Sequence, residues 1–129
     1  MTIKVELSYG ELLDKITILQ IKSERISDKN KLANVNKELN LLNELWQADE
    51  KSSVNIAKEI AGLKSINESL WDIEDDIRDK ERAKEFDARF IELARAVYVT
   101  NDKRANVKRI INEKLGSDLI EEKSYADYS

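Results

Sequence analysis

The sequence predicts an all-α protein, a bundle of about four long antiparallel helices with a short extended N-terminal arm and a C-terminal tail. One observation is that the 129 residues include no proline and only three glycines, so little interrupts long helices. A second is that apolar residues recur at spacings of three and four over most of the chain, which is the period of amphipathic helices. A charged fraction of 37% with few aromatic residues is typical of helices whose outer faces are solvated.

The extended arm is predicted over residues 1–8, where apolar and charged residues alternate: Ile3, Lys4, Val5, Glu6 and Leu7. Such a short strand is not stable alone, so we expect it to lie across the bundle or to pair with its symmetry mate in a dimer. Ser8 and Glu11 then have the spacing of a capping box, in which each side chain bonds the other residue's amide. This predicts a first helix over about 9–26.

The second helix is predicted after the turn at 27–30, and its apolar residues repeat as three-four-three-four: Leu32, Val35, Leu39, Leu42 and Trp46. This heptad spacing favours packing against the first helix or against a partner chain. The third helix is predicted over about 54–82, a length of about 43 Å. Gly62 lies inside it, and we expect this glycine to allow close approach of a neighbouring helix.

The fourth helix is predicted to follow a joint at 83–85, although the pattern also permits a continuous helix there. We expect it to continue through the β-branched and cap-favouring residues 100–102, with a break there as the alternative, and to end at Gly116. Its second half is basic and is expected to pair with the acidic face of the third helix: Lys103, Arg104, Lys108 and Arg109. The tail, 117–129, is expected to dock at first and to fray at its end.

Length and composition favour one domain over residues 1–129 and exclude several chemistries. Without cysteine or histidine there is no disulfide, thiolate nucleophile, imidazole base or zinc–thiolate site. A net charge of −4 argues against general nucleic-acid binding. No apolar run approaches the ~20 residues that span a membrane, and the N-terminus is unlike a signal peptide, so we expect a cytoplasmic protein.

An acidic face on the third helix is the first candidate site. Acidic residues recur there at spacings of three and four, and Glu11 and Asp14 have a similar spacing on the first helix. A solvated or salt-bridged face is the commoner interpretation, with no cofactor. The alternative is a Mg²⁺ or Mn²⁺ site of a nucleotide pyrophosphohydrolase-like enzyme. The candidate ligands are Glu11, Asp14, Glu68, Asp72, Asp75 and Asp79.

Basic residues that border the apolar stripes form the second candidate site. Their aliphatic stems can pack on the core while their charges reach solvent, which is the commoner interpretation. The alternative is a cage for a small anionic ligand, like that of chorismate-mutase bundles, which act by orientation and electrostatic complementarity. The candidate residues are Lys15, Lys22, Arg25, Arg78 and Arg104.

Four separated segments resemble a small bacterial and phage family known only as a domain of unknown function: SYGELLDKITIL at 8–19, LWDIEDDIRDKE at 70–81, RFIELAR at 89–95 and EEKSY at 121–125. The resemblance covers nearly the whole chain. It implies a stand-alone cytosolic protein, associated with surface-polysaccharide gene neighbourhoods, and it transfers no activity, cofactor or catalytic residue. It directs attention to Tyr9, Asp14, Lys15, Lys22, Arg25, Trp71, Glu74, Asp75, Arg78, Lys80, Arg95 and Asn101.

Together these patterns favour a homo-oligomeric interaction module or a small-ligand-binding module, with a homodimer or higher homo-oligomer as its assembly. The metal-dependent pyrophosphohydrolase and the chorismate-mutase-like bundle stand as the alternatives. Neither nucleic acid nor a membrane is an expected partner.

Overall fold

The computed structural model describes residues 1–128 and consists of four α-helices and one short 3₁₀ turn. The helices are α1 (Tyr9–Arg25), α2 (Lys29–Ala48), α3 (Ala57–Ala83) and α4 (Ala88–Leu115), and the 3₁₀ turn is Glu50–Ser53. Within residues 1–128 there is no strand, so the all-α prediction is confirmed. None of the helices in this part of the chain has the length and apolar character needed to cross a bilayer.

Helix α1 is the centre of the fold because it packs against each of the other three helices. Helices α3 and α4 also pack extensively on each other, whereas α2 packs on α1 and on the 3₁₀ turn. The core is formed by buried aliphatic residues of α1, α3, α4 and the segment before α3: Leu13, Ile16, Ile56, Leu63, Ile111 and Leu115. Each such side chain contributes about 1.5–3 kcal/mol on burial, and together they join α1, α3 and α4 in one core.

The start of α1 agrees with the prediction in one half of its capping box. The Glu11 amide donates to Ser8 Oγ at 3.1 Å. The Glu11 carboxylate does not reach back to Ser8, because it accepts a hydrogen bond from Lys108 Nζ at 2.8 Å. A tertiary ion pair has therefore replaced the second half of the motif.

The joint between α3 and α4 is a true break. Lys84 has a left-handed backbone with φ of 57°, and its amide donates to the carbonyls that end α3. Asp87 then caps α4 by accepting from the Phe90 amide at 3.0 Å. Helix α4 continues through 100–102 as predicted and ends at Gly116, whose φ is 64°.

Helix α3 begins three residues later than its predicted start at about 54. Residues 50–53 form the 3₁₀ turn, and Ile56, at the N-cap of α3, is buried in the core. Ile56 has the apolar spacing of α3 because its side chain packs in the core, although the residue precedes the first turn of the helix.

Close approach of two helices occurs at Gly10, and the expectation for Gly62 is wrong. A Cβ built on Gly10 would lie 2.5 Å from the backbone oxygen of Lys108, whereas one built on Gly62 has no neighbour within 4 Å. The Gly10 amide also donates to Asn112 Oδ1 at 2.7 Å. The missing side chain of Gly10 thus lets α1 contact the backbone of α4 directly.

The arm and the tail lie outside the helices. Residues 1–7 form no regular element, and their apolar side chains are exposed: Ile3, Val5 and Leu7. The tail runs back along α4, where Glu121 accepts from Lys108 at 2.9 Å and the ring of Tyr128 contacts that of Tyr98. The last tail residue, Ser129, lies outside the described residues.

Candidate functional site

A groove of about 380 Å³ lies between α1, α3 and α4. It is lined by two isoleucines, a leucine, an indole, two amides, two carboxylates and two guanidinium groups: Ile18, Ile21, Asn67, Leu70, Trp71, Glu74, Asp75, Arg78, Asn101 and Arg104. This combination of one aromatic ring and several convergent polar groups is typical of small-molecule sites.

A largely buried ion pair adjoins the groove, and one of its members, Arg104, is on the lining. Asp14 is only 1% exposed, and its carboxylate accepts two hydrogen bonds from Arg104, one of them from Nε at 2.9 Å. Asn67 Nδ2 donates to the same carboxylate and to Thr17 Oγ1, each at 3.0 Å. Thr17 in turn donates to the Asp14 carbonyl at 2.8 Å. Every member of this network thus has a partner, as a buried charge requires.

The Asp14 carboxylate fixes both the charge and the orientation of Arg104. Its hydrogen bonds raise the pKa of Arg104 above the ordinary value, against the opposing effect of burial. The remaining terminal nitrogen, Nη1, lies 3.5 Å from Asn101 Oδ1. Arg104 therefore presents a fixed cation beside an amide that also lines the groove.

A second polar cluster lies next to this pair, around the buried ammonium group of Lys108. Burial lowers the pKa of Lys108, but hydrogen bonds to Glu11 and Glu121 outweigh this effect and the net pKa is raised. Asp14 Oδ2 is 3.9 Å from the same nitrogen. Lys108 thus connects the start of α1, the buried ion pair and the tail.

The outer wall of the groove is the middle of α3. The guanidinium of Arg25 lies over the ring of Trp71, 5.7 Å from its centroid, and donates to Asp72 at 2.6 Å. On the next turn, Glu74 pairs with Arg78 at 3.1 Å. Asp75, which also lines the groove, forms no ion pair within residues 1–128.

The predicted metal ligands do not converge. Three of the six carboxylates bind different cations, since Glu11 pairs with Lys108, Asp14 with Arg104 and Asp72 with Arg25. In the described part of the chain, no group of three or more acidic side chains is placed to hold a metal ion. The remaining candidates lie along α3: Glu68, Asp75 and Asp79, the last of which pairs with Arg82.

The basic half of α4 does not pair with the acidic face of α3 as expected. Arg104 and Lys108 bind carboxylates of α1, and Arg109 binds Glu122 of the tail. The acidic face is instead neutralised by Arg25 and by arginines on α3 itself.

The structure brings only part of the predicted anion cage together. Arg78 and Arg104 line the same groove, and Arg25 lies at its edge against Trp71. Each of these three guanidinium groups has its own carboxylate partner. Lys15 is exposed and Lys22 is half-buried, and neither lines the groove.

Sequence reasoning did not single out Thr17 and Asn67, the buried neutral polar residues of the network, or Asn112, which is buried and bonds the Gly10 amide. The sequence does contain a pattern that identifies two of these residues as buried. Asn67 follows Leu63 by four positions, so it falls on the inward face of α3, and Thr17 follows Leu13 by four positions on α1. A polar residue at an inward position requires a buried partner.

Comparison with known proteins gives one family and no individual relative. Neither the curated proteins nor the solved structures contain a match. A family profile described as "Family of unknown function (DUF6165)" matches residues 3–128. Because this match covers nearly the whole chain and agrees with the resemblance of its four segments, the protein belongs to that family.

Proposed function

We propose that this protein is a small-ligand-binding module whose groove between α1, α3 and α4 receives a neutral or cationic molecule rich in hydroxyl or amino groups. The observation that carries the proposal is the pair formed by the buried Asp14 carboxylate and the half-buried Arg104, whose side chain lines the groove. Buried ion pairs contribute little net stability, and perturbed charged groups in a cleft are common at functional sites. A groove that contains such a pair beside an aromatic ring is therefore a good candidate for a ligand site.

The charge of the groove argues for a ligand without a large negative charge. On the groove lining, Glu74 and Asp75 balance the charges of Arg78 and Arg104. The buried Asp14 carboxylate that pairs with Arg104 brings the net charge of this set to −1. Because each guanidinium group is already paired with a carboxylate, a phosphate-rich ligand bound to its remaining N–H groups would lie beside a like charge and be repelled by it.

The groove presents several open hydrogen-bond acceptors. Asn67 donates through Nδ2 to two buried partners, while its carbonyl oxygen has no partner among residues 1–128. The carboxylate of Asp75 has no ion pair there, and that of Glu74 is bonded only to Arg78. These acceptors match donors on a ligand, and the indole of Trp71 offers a flat surface for its apolar or cationic part.

The two enzymatic alternatives have less support from this geometry. A metal-dependent pyrophosphohydrolase needs convergent carboxylates, and the acidic side chains of residues 1–128 do not converge. A chorismate-mutase-like cage needs cations free to bind a dianion, whereas the guanidinium groups of the groove are paired with carboxylates.

Fluorescence of Trp71 tests the proposal. In a Trp46→Phe background Trp71 is the sole tryptophan, so its emission reports directly on the groove. We would titrate glucosamine and spermidine as hydroxyl-rich and cationic probes, with ATP as the polyanionic contrast. A probe at 100 times its dissociation constant should also stabilise the fold by about 2.7 kcal/mol.

The matched variants are Asp75→Asn, within the groove, and Asp76→Asn, the next residue on α3 outside it. The proposal expects saturable binding of glucosamine or spermidine that Asp75→Asn weakens and Asp76→Asn leaves unchanged. Saturable binding of ATP alone would favour the anion cage instead. Equal effects of the two substitutions, or no saturable change with either probe, would refute the proposed site.

A further inference from the structure

We infer that the C-terminal tail sets which ligand charge the groove accepts, and that Lys108 transmits this effect. While the tail is docked, Glu121 binds the Lys108 ammonium group, and Asp14 is left to hold Arg104. Once the tail undocks, Lys108 turns to Asp14, and Arg104 becomes free to bind an anionic ligand. This control rests on the proposed function, since it concerns ligands of the same groove.

The Lys108 ammonium group has three carboxylates around it and donates to two of them. Its side chain is only 10% exposed. It donates to Glu11 at 2.8 Å and to Glu121 at 2.9 Å. Asp14 Oδ2 lies 3.9 Å away, which is about 1 Å beyond an ordinary hydrogen bond. When the tail carboxylate leaves, a small movement of the ammonium group gives the freed N–H donor a new partner in Asp14.

Lys108 and Arg104 act on the same oxygen atom. Arg104 lies one turn before Lys108 on α4, and its side chain lines the groove. Asp14 Oδ2, the atom that faces Lys108, also accepts a hydrogen bond from Arg104 Nη2. One negative charge shared between two cations attracts each of them less strongly. A shift of Lys108 toward Asp14 therefore loosens the hold on Arg104.

The loss of the tail carboxylate changes the local charge in the same direction. With the tail docked, the three carboxylates of Glu11, Asp14 and Glu121 outnumber the cations of Arg104 and Lys108 by one. Hydrogen bonds to Asp14 are the main cause of the raised pKa of Arg104, and the charge of Glu121 contributes to it through space. Undocking thus leaves Arg104 in less negative surroundings, which favours an anion in the groove.

The tail is held loosely enough to undock. It forms no helix or strand over residues 117–128, and every residue from 118 to 128 is exposed. Its second ion pair joins Glu122 to Arg109, whose side chains are 71% and 45% exposed. Exposed pairs of this kind contribute little stability. A segment that buries no side chain opens at a small cost in free energy.

The tail does not obstruct the groove itself. No residue of 117–128 is on the groove lining. Between the tail and α4 lies a separate cavity of about 460 Å³, whose lining includes Lys108 and Glu121. The two regions are connected through Lys108 and its neighbour Arg104. Because binding free energies are linked, an anion bound in the groove should in turn weaken tail docking.

Nuclear magnetic resonance of the full chain without ligand tests the coupling itself. Glu121→Gln removes the tail charge that binds Lys108. Glu122→Gln is the matched control, because it makes the same charge change at the next residue, whose partner is Arg109. In Glu121→Gln alone, we expect the Nε–H signal of Arg104 to shift and its hydrogen exchange to accelerate about tenfold, as loss of one charge-assisted hydrogen bond implies.

Fluorescence of Trp71 in the Trp46→Phe background tests the effect on ligands, with inorganic pyrophosphate and spermidine as probes. Glu121→Gln should bind pyrophosphate about tenfold more tightly and spermidine more weakly than its parent, whereas Glu122→Gln should bind both as the parent does. Opposite changes for the two probes distinguish an altered charge preference from a loosened fold, which would weaken the binding of both.

Three results would overturn the inference: an Arg104 signal that Glu121→Gln leaves unchanged, equal changes in the two variants, or a pyrophosphate affinity that does not rise in Glu121→Gln. Failure of glucosamine and spermidine to bind the wild type would refute the proposed function instead. The Arg104 signal distinguishes these two failures, because it is measured without a ligand.

Discussion

Replacing Gly10 by alanine should push α1 away from α4. The added Cβ would lie 2.5 Å from the Lys108 carbonyl oxygen and 3.1 Å from the carbonyl carbon. Both atoms belong to the backbone, so no side-chain rotation relieves the contact. The same shift would break the 2.7 Å hydrogen bond from the Gly10 amide to Asn112 Oδ1.

The magnitude is the balance of three effects. Overpacking at a rigid contact costs about 1–3 kcal/mol. Leaving the buried Asn112 side chain without its partner costs a further ~1–3 kcal/mol. Alanine recovers up to about 1 kcal/mol of helix propensity. The expected net loss is about 1–6 kcal/mol, and a value of about 3 kcal/mol, near its middle, corresponds to roughly 10 °C in Tm for a chain of this length.

Gly62→Ala is the matched control. It makes the same exchange of glycine for alanine inside a helix, but the added Cβ has no neighbour within 4 Å. It should stabilise the protein by up to about 1 kcal/mol. Urea unfolding followed by circular dichroism measures both variants, with the m-value as a check that the unfolded state is unchanged. A Gly10→Ala variant as stable as the wild type, or a Gly62→Ala variant that loses as much as Gly10→Ala, would refute the reasoning.

Three other predictions concern the ion pairs and one helix end. Asp14→Ala should lower the free energy of unfolding by about 3–5 kcal/mol in urea, because it leaves the Arg104 guanidinium without its buried partner; a loss no larger than that of an exposed alanine substitution would contradict this. The hydrogen bond from Lys108 lowers the pKa of Glu121 below 4.5, so tail docking should be complete above pH 4.5 and lost as the pH falls through the lowered pKa. The NMR amide signals of the tail should then approach random-coil positions, and Glu121→Gln should show this at neutral pH; unchanged signals in that variant would exclude the ion pair as the cause. Lys84→Gly should raise the free energy of unfolding by up to about 1 kcal/mol, because φ is 57° there, and a lower Tm would contradict it.

The sequence predicted the helices because their periodicity and caps are local. Ser8, Asp28 and Gly116 act at helix ends through residues three or four positions away, and no other helix is needed to recognise them. The predicted helix through 100–102 is confirmed too, although the residues there locally favour a cap. The predictions that failed at this level are those in which a distant partner competed, as when Lys108 took the Glu11 carboxylate from its capping box.

The candidate site was predictable only in part. Arg78, Arg104 and Asp75 were chosen by residue type and spacing, and they do line one groove. Asp14, chosen as a metal ligand, instead pairs with Arg104, which lines this groove. The spacing of charged residues along one helix does not determine which charged residue of a neighbouring helix will contact them.

The sequence by itself therefore determined an all-α fold, the approximate helix bounds and the set of charged residues available for a site. Only the tertiary structure decided which charges meet, because partners such as Asp14 and Arg104 lie 90 positions apart along the chain. It also decided which glycine lets a neighbouring helix approach closely: the backbone of α4 lies against Gly10, whereas no atom lies within 4 Å of a Cβ built on Gly62. Helix formation depends on contacts within one turn, whereas ion pairing and packing depend on how the helices are positioned relative to one another.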